Sequence, residues 1–153
     1  MKKKKLILYL VLLVLNLALI WGNSLLDGES SSAFSGWVGG LITKLLPGSQ
    51  VGSGGSGHGL LRKLGHITEF FLLGMVLCRF LGIWLQNRRW WPVLALAGGV
   101  LAACVDEAIQ RFVPGRSGRL TDVGIDAIGL VLGVVLIYCI EKKKMKISGG
   151  KSK

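Results

Sequence analysis

Four stretches of this chain are apolar over roughly the length an α-helix needs to cross a bilayer, and no other feature limits the fold as strongly. They fall at about 6–21, 67–85, 93–109 and 123–140. A membrane-crossing helix takes about 20 predominantly apolar residues. Four of them consume about half of a 153-residue chain and leave no room for a separate soluble domain. Composition agrees, with 51% hydrophobic and 18% charged residues, where a soluble domain carries about 25% charged. In lipid each backbone N–H and C=O must be paired within its own segment, which makes helices the economical solution. The hydrophobicity excludes disorder. The cysteines Cys78, Cys104 and Cys139 are odd in number and sit inside apolar stretches, which excludes a disulfide scaffold.

The first span follows Lys2, Lys3, Lys4 and Lys5, a layout shared with signal peptides. The chain continues Trp21-Gly22-Asn23-Ser24 without a small-x-small cleavage pattern, so an uncleaved span is expected. Spans two and three are joined by a short basic turn, 86–92, whose Trp90 and Trp91 suit the headgroup level and whose Pro92 suits a first helical turn. With both termini inside, twelve basic residues (Lys2–Lys5, Arg88, Arg89, Lys142, Lys143, Lys144, Lys146, Lys151, Lys153) face six outside (Lys44, Arg62, Lys63, Arg111, Arg116, Arg119). The positive-inside rule therefore predicts cytoplasmic N- and C-termini in a multi-pass protein. The basic tail, 141–153, then lies against anionic lipid. It explains the net charge of +11 without nucleic acid, and no nucleic-acid partner is expected.

Two segments face outward on this topology. In the longer one, 33–46 places Phe34, Trp37, Leu41, Ile42 and Leu45 at helical spacing, the pattern of an outer interfacial amphipathic helix. The Gly/Ser-rich stretch 48–59 reads as a flexible linker. The expected fold is thus all-α integral membrane: four transmembrane helices, cytoplasmic termini and an outer interfacial helix, in one domain over 1–153.

The ionisable residues within the spans carry the functional argument. Arg62, His66 and Glu69 are spaced i, i+4, i+7 on one stripe at the outer start of the second span. Asp106, Glu107 and Gln110 stand at the outer end of the third, and Asp122 and Asp126 at the outer start of the fourth. Asp126 shares its stripe with Gly129 and Gly133, and Asp106 with Gly99 and Ala102. Small residues mark helix contacts in lipid, and a lipid-facing charge costs about 3 kcal/mol or more near mid-bilayer. The acids are therefore expected to line an interior pocket that opens outward. Between the last two spans, Pro114-Gly115 marks a turn, and Arg116 and Arg119 can fold back over the carboxylates or meet an anionic ligand. An internal salt-bridge network that merely holds helices together is the structural alternative.

Three segments resemble the VanZ-like, teicoplanin-resistance family of bacterial membrane proteins. They are Arg62-Lys63-Leu64-Gly65-His66-Ile67-Thr68-Glu69-Phe70, Asp106-Glu107-Ala108-Ile109-Gln110-Arg111-Phe112-Val113-Pro114-Gly115-Arg116, and Asp122-Val123-Gly124-Ile125-Asp126-Ala127-Ile128-Gly129. Asn23-Ser24-Leu25 and Glu29-Ser30-Ser31 add to the likeness. The resemblance implies a four-helix protein of the bacterial cell membrane linked to lowered susceptibility to teicoplanin-type lipoglycopeptides.

The leading expectation is action at the outer leaflet on or near a membrane lipid or lipid-linked cell-wall precursor. Arg62, Arg116 and Arg119 would engage anionic groups, and Asp106, Glu107, Asp122 and Asp126 would orient them. No cofactor and no resident metal is expected, and no catalytic residue is assigned. The alternative is a hydrolase or transferase on a lipid-linked head group, with His66 and Glu69 beside the aspartates as acid and base or as ligands of a divalent ion. A third reading is a small transporter or homo-oligomer assembled through the Gly129 and Gly133 stripe.

Overall fold

The computed structural model describes residues 2–26, 37, 40–41, 43–45, 55–85, 90–116 and 118–150, with the backbone alone at 55–60 and 145–150. Four long helices make the fold: α1 (Lys2–Leu25), α2 (Gly55–Trp84), α3 (Trp91–Arg111) and α4 (Leu120–Gly150). No strand occurs among the described residues. Each of the four helices is long and apolar enough to cross a membrane. Ile7, Leu15, Leu19, Leu101, Leu132 and Val135 are among many large apolar side chains turned outward. A continuous apolar exterior is the surface of a protein whose solvent is lipid.

The helices outrun their apolar runs. α1 already includes the lysine block, and α4 carries the basic tail in helical form as far as Gly150. α2 begins at Gly55, so positions 55–59 are helical rather than linker. Extending an existing helix adds one bond per residue without a new nucleus, and that outweighs the weak propensity of the glycines there. The rest of that stretch, 48–54, lies outside the described residues. In the segment expected to be amphipathic, Trp37, Gly40, Leu41, Thr43, Lys44 and Leu45 are helical. Trp37, Leu41 and Leu45 are exposed there, while Phe34 and Ile42 lie outside the described residues.

The main interface is α2 against α4, and α3 packs on both. α1 lies on the other side of the α2–α3 pair and hardly meets α4. The α2–α4 approach is set by glycine. A methyl group on Gly129 would run into the Ile67 carbonyl, and one on Gly133 into the Phe71 carbonyl. Gly74 answers from α2, where a Cβ would come within 2.6 Å of the Leu130 carbonyl oxygen. The glycine stripe is thus occupied within the chain, and a homo-oligomer would have to use another surface.

Two apolar clusters fill the bundle. Ile20, Phe70, Leu73, Ala102, Ala103 and Leu130 draw on all four helices. Cys78, Trp91, Ala95, Val134 and Ile137 form the second, toward the chain termini. Trp91 is therefore core, packed on Tyr138 with ring centroids 6.2 Å apart. Of the two tryptophans expected at headgroup level, only Trp90 is exposed. Pro92 does occupy the first turn of α3. Cys104 and Cys139 face outward, and Cys78 is buried without a disulfide partner.

The glycine contacts yield a paired prediction. Gly129→Ala should destabilise the protein by about 1–3 kcal/mol, the usual cost of overpacking a tight contact. Gly124→Ala, where nothing lies within 4 Å, should be neutral or stabilise by up to about 1 kcal/mol. Unfolding of the purified variants in detergent measures both.

Candidate functional site

All four helices bring polar side chains to one end of the bundle, where α1 and α3 finish and α2 and α4 begin. Helical phase explains the convergence. On α3 the buried residues are Trp91, Ala95, Gly99, Ala102, Ala103, Asp106, Glu107 and Gln110, one inward face that turns from small to polar toward its end. On α4, Asp126 lies one turn before Gly129 and so enters the interior beside the tight α2 crossing. His66 lies one residue before Ile67, whose backbone carbonyl meets Gly129, and is buried. On α1, Asn16, Ile20 and Ser24 form the buried stripe.

Asp106 is the best-connected carboxylate. It is fully buried, and the Ser24 hydroxyl donates to its Oδ1 at 2.6 Å. Gln110 Nε2 donates to its Oδ2 at 2.8 Å and to Ser24 Oγ at 3.1 Å. This closed triangle ties the end of α1 to the end of α3. Asn23 adds a tie to α2, donating from Nδ2 to Glu69 Oε1 at 3.2 Å. His66 lies between two acids, with Nδ1 3.5 Å from Asp126 Oδ1 and 3.8 Å from Asp106 Oδ2. Neither separation is a hydrogen bond of normal length. Both Asp126 oxygens and His66 Nδ1 are buried without a hydrogen-bond partner among the described residues.

The turn at 113–116 and the backbone of Arg119 meet this cluster. The Arg116 N–H donates to the Val113 carbonyl at 3.2 Å across Pro114 and Gly115, and Gly115 has φ 73°. Proline at the second position and a left-handed glycine at the third make a type II pattern. The turn sends Arg116 inward, where Nη2 donates to the Asn23 carbonyl at 3.0 Å. Its Nε and Nη1 are buried and unpartnered among the described residues. Burial, and then the neighbouring Arg62 charge, lower the Arg116 guanidinium below its ordinary pKa, while Asp106, Glu69 and Glu107 oppose that shift. Arg119 behaves differently from the expectation that its guanidinium covers the acids. Its side chain is exposed, and its backbone N–H donates to Glu107 Oε2 at 2.6 Å.

Of the ten residues expected at the site, His66, Asp106, Glu107, Gln110, Arg116 and Asp126 are buried together, with Glu69 half-buried beside them. Arg62 and Asp122 are half-buried and, with Lys63, Ile125, His66, Glu107, Gln110 and Asp126, line a narrow cleft into the cluster. The free space in that cleft, ≈ 10 Å³, is about one water-sized sphere. Ser24 and Asn23 join the site although the sequence marks them only as part of a weak local likeness. Ser24 lies one turn beyond Ile20 and two beyond Asn16 on the buried stripe of α1, and Asn23 is half-buried beside it.

A second polar feature lies at the opposite end of the bundle. There Arg79 of α2 pairs with Glu141 of α4, which also meets Lys144 at 3.6 Å. A larger cleft of ≈ 420 Å³ opens beside this pair, lined among others by Lys5, Tyr9, Trp91, Tyr138 and Lys142.

Fold and site together define a small multi-pass membrane protein with a buried acid–histidine–arginine centre at one end of its helical bundle. The VanZ/LLP1 family model matches residues 6–141, and the chain belongs to that family. No curated protein and no solved structure matches the chain.

The Ser24–Asp106–Gln110 triangle should be measurable as stability. Ser24→Ala is expected to cost about 0.6–2 kcal/mol, the range for interhelical hydrogen bonds in membranes. Denaturation in mixed micelles, compared with Ser24→Thr, which retains the hydroxyl, checks it.

Proposed function

We propose that the protein acts at the outer face of a bacterial cell membrane, on or near the anionic headgroup of an envelope lipid or lipid-linked cell-wall precursor. Lowered susceptibility to teicoplanin-type lipoglycopeptides follows from altered access to the precursor or altered anchoring of the lipidated drug. The carrying observation is Arg116, nine-tenths buried yet with Nε and Nη1 unpartnered among the described residues. A planar guanidinium with free donors suits a phosphate or carboxylate group. Arg62 and Lys63 add positive charge at the neighbouring cleft, and Glu69, Asp106 and Glu107 oppose the Arg116 charge from around it. Membership of the VanZ/LLP1 family supports the link to drug susceptibility.

In a sensitive Gram-positive host, wild type should raise the inhibitory concentration of teicoplanin several-fold and that of vancomycin little. Arg116→Lys and Glu107→Gln should each abolish the protection at unchanged membrane abundance. Loss of protection together with loss of the protein would support a structural salt-bridge network instead.

The outer placement of the site follows from the excess of basic residues near both termini. A C-terminal green fluorescent protein fusion should therefore fluoresce, and the matching alkaline phosphatase fusion should be inactive. The reverse pattern would move the cluster to the cytoplasmic face.

A hydrolase or transferase acting on a lipid-linked head group is the second reading. It is favoured by His66 lying within 4 Å of carboxylates from two other helices. Absence of turnover by the purified protein across precursor lipids in vesicles would remove it.

A further inference from the structure

We propose that His66, Asp106 and Asp126 form a binding site for one divalent transition-metal ion, with zinc held more tightly than manganese. The site stands without any headgroup, and its test uses none. Each of the three residues offers one donor atom, from a different helix, and these atoms lie within 4.8 Å of one another. All three are at least nine-tenths buried, at 8% exposure for His66, 0% for Asp106 and 1% for Asp126.

Two accounts compete for this cluster: a protonated histidine bridging two carboxylates, or a metal ion between the three. Distances decide between them. A charge-assisted bond from an imidazolium to a carboxylate closes to about 2.7–2.9 Å. His66 Nδ1 instead stands 3.5 Å from Asp126 Oδ1 and 3.8 Å from Asp106 Oδ2. An ion bound at about 2.0–2.1 Å in tetrahedral geometry separates its ligand atoms by about 3.4 Å. The two His66 edges, 3.5 and 3.8 Å, come near that spacing, and the edge between the two carboxylates, within 4.8 Å, closes to it by side-chain rotation.

The second observation is independent of the spacing. Both oxygens of Asp126 and the Nδ1 of His66 lack a hydrogen-bond partner among the described residues. A buried carboxylate without hydrogen bonds is costly unless a cation answers it. Asp106 is different, because both of its oxygens are held, by Ser24 and by Gln110. Such outer contacts fix the orientation of a ligating carboxylate and leave lone pairs for the metal. Asp106 thus has the surroundings of an oriented ligand, and Asp126 those of a ligand with both oxygens free of hydrogen bonds among the described residues.

The donor set selects the metal class. One imidazole and two carboxylates suit zinc, manganese or iron(II) better than calcium or magnesium, and affinity rises from manganese to zinc. Three protein ligands leave a coordination position open, as in sites where water or a ligand oxygen completes the shell. The one-water space in the adjoining cleft, which His66 and Asp126 line, is where that position would open.

The test uses the full-length protein in detergent, stripped with chelator, equilibrated with zinc and dialysed, with metal counted by mass spectrometry. One zinc per chain is expected for wild type and for the Cys104→Ser, Cys139→Ser double variant. Asp126→Asn should weaken binding at least tenfold, and Ser24→Ala by roughly tenfold through loss of the outer contact. Equal retention by wild type and Asp126→Asn, or no retention by wild type, overturns the proposal. Should Asp126→Asn fail to fold, cobalt(II) bound to wild type decides. Visible bands of a nitrogen–oxygen site support it, and a thiolate charge-transfer band from a cysteine site overturns it.

Discussion

The close crossing of α2 and α4 is the contact on which the remaining arrangement depends. Between helices in lipid there is no hydrophobic effect to exploit, so attraction comes from packing and polar contacts. Gly129 and Gly133 let the α4 backbone approach the Ile67 and Phe71 carbonyls of α2, closer than any side chain would allow. His66 and Asp126 stand beside this contact, on the side toward the 112–119 turn. Their proximity is therefore a by-product of backbone approach, and their orientations inherit its rigidity. At the far end the Arg79–Glu141 ion pair joins the same two helices. α2 and α4 are thus fixed at both ends as a unit, and α1 and α3 complete the site by docking on it.

Charge balance in the cluster follows from that geometry. Glu69, Asp106, Glu107 and Asp126 share a small volume with His66 and Arg116, and the side chains come from different helices and the connecting turn. Asp106 is held by neutral donors at both oxygens, whereas Glu107 accepts one main-chain amide and Glu69 one asparagine amide, each with its second oxygen lacking a hydrogen-bond partner among the described residues. These acceptors do not rely on the arginines for their hydrogen bonds. Arg116 keeps donor capacity while surrounded by negative charge, and Asp126 keeps acceptor capacity in the interior. A purely structural salt-bridge network would be expected to pair such groups directly with one another. Here the donors and acceptors without hydrogen-bond partners among the described residues sit in one centre.

Much of this was legible from spacing. The four helices follow from apolar length, and the inward faces of α3 and α4 follow from small residues placed a turn from Asp106 and Asp126. A 3.6-residue period and the cost of charge in lipid leave little freedom there. The parts that were not legible depend on tertiary approach rather than pattern. Ser24 is one hydroxyl at the end of an apolar helix, and nothing local says that it meets Asp106, 82 residues later. The Arg79–Glu141 pair joins residues 62 apart, one of which reads in the sequence as the start of a basic tail lying against anionic lipid. Positions 55–59 are helical although their Gly/Ser composition signals a linker, because helix propagation depends on the neighbouring segment. Trp91 shows the same limit, since an aromatic beside a basic turn resembles an interfacial anchor until its partner Tyr138 is known.

The contact between the Arg119 backbone and Glu107 carries a different kind of information. The site uses position 119 through its amide hydrogen, not through the guanidinium that makes the residue conspicuous in the sequence. What the fold demands there is a main-chain donor held at the start of α4, and every amino acid except proline supplies one. Charge could therefore leave position 119 without loosening the Glu107 carboxylate, whereas an imino acid would release it. The specification at that point is written in the backbone and is invisible to any comparison of side chains.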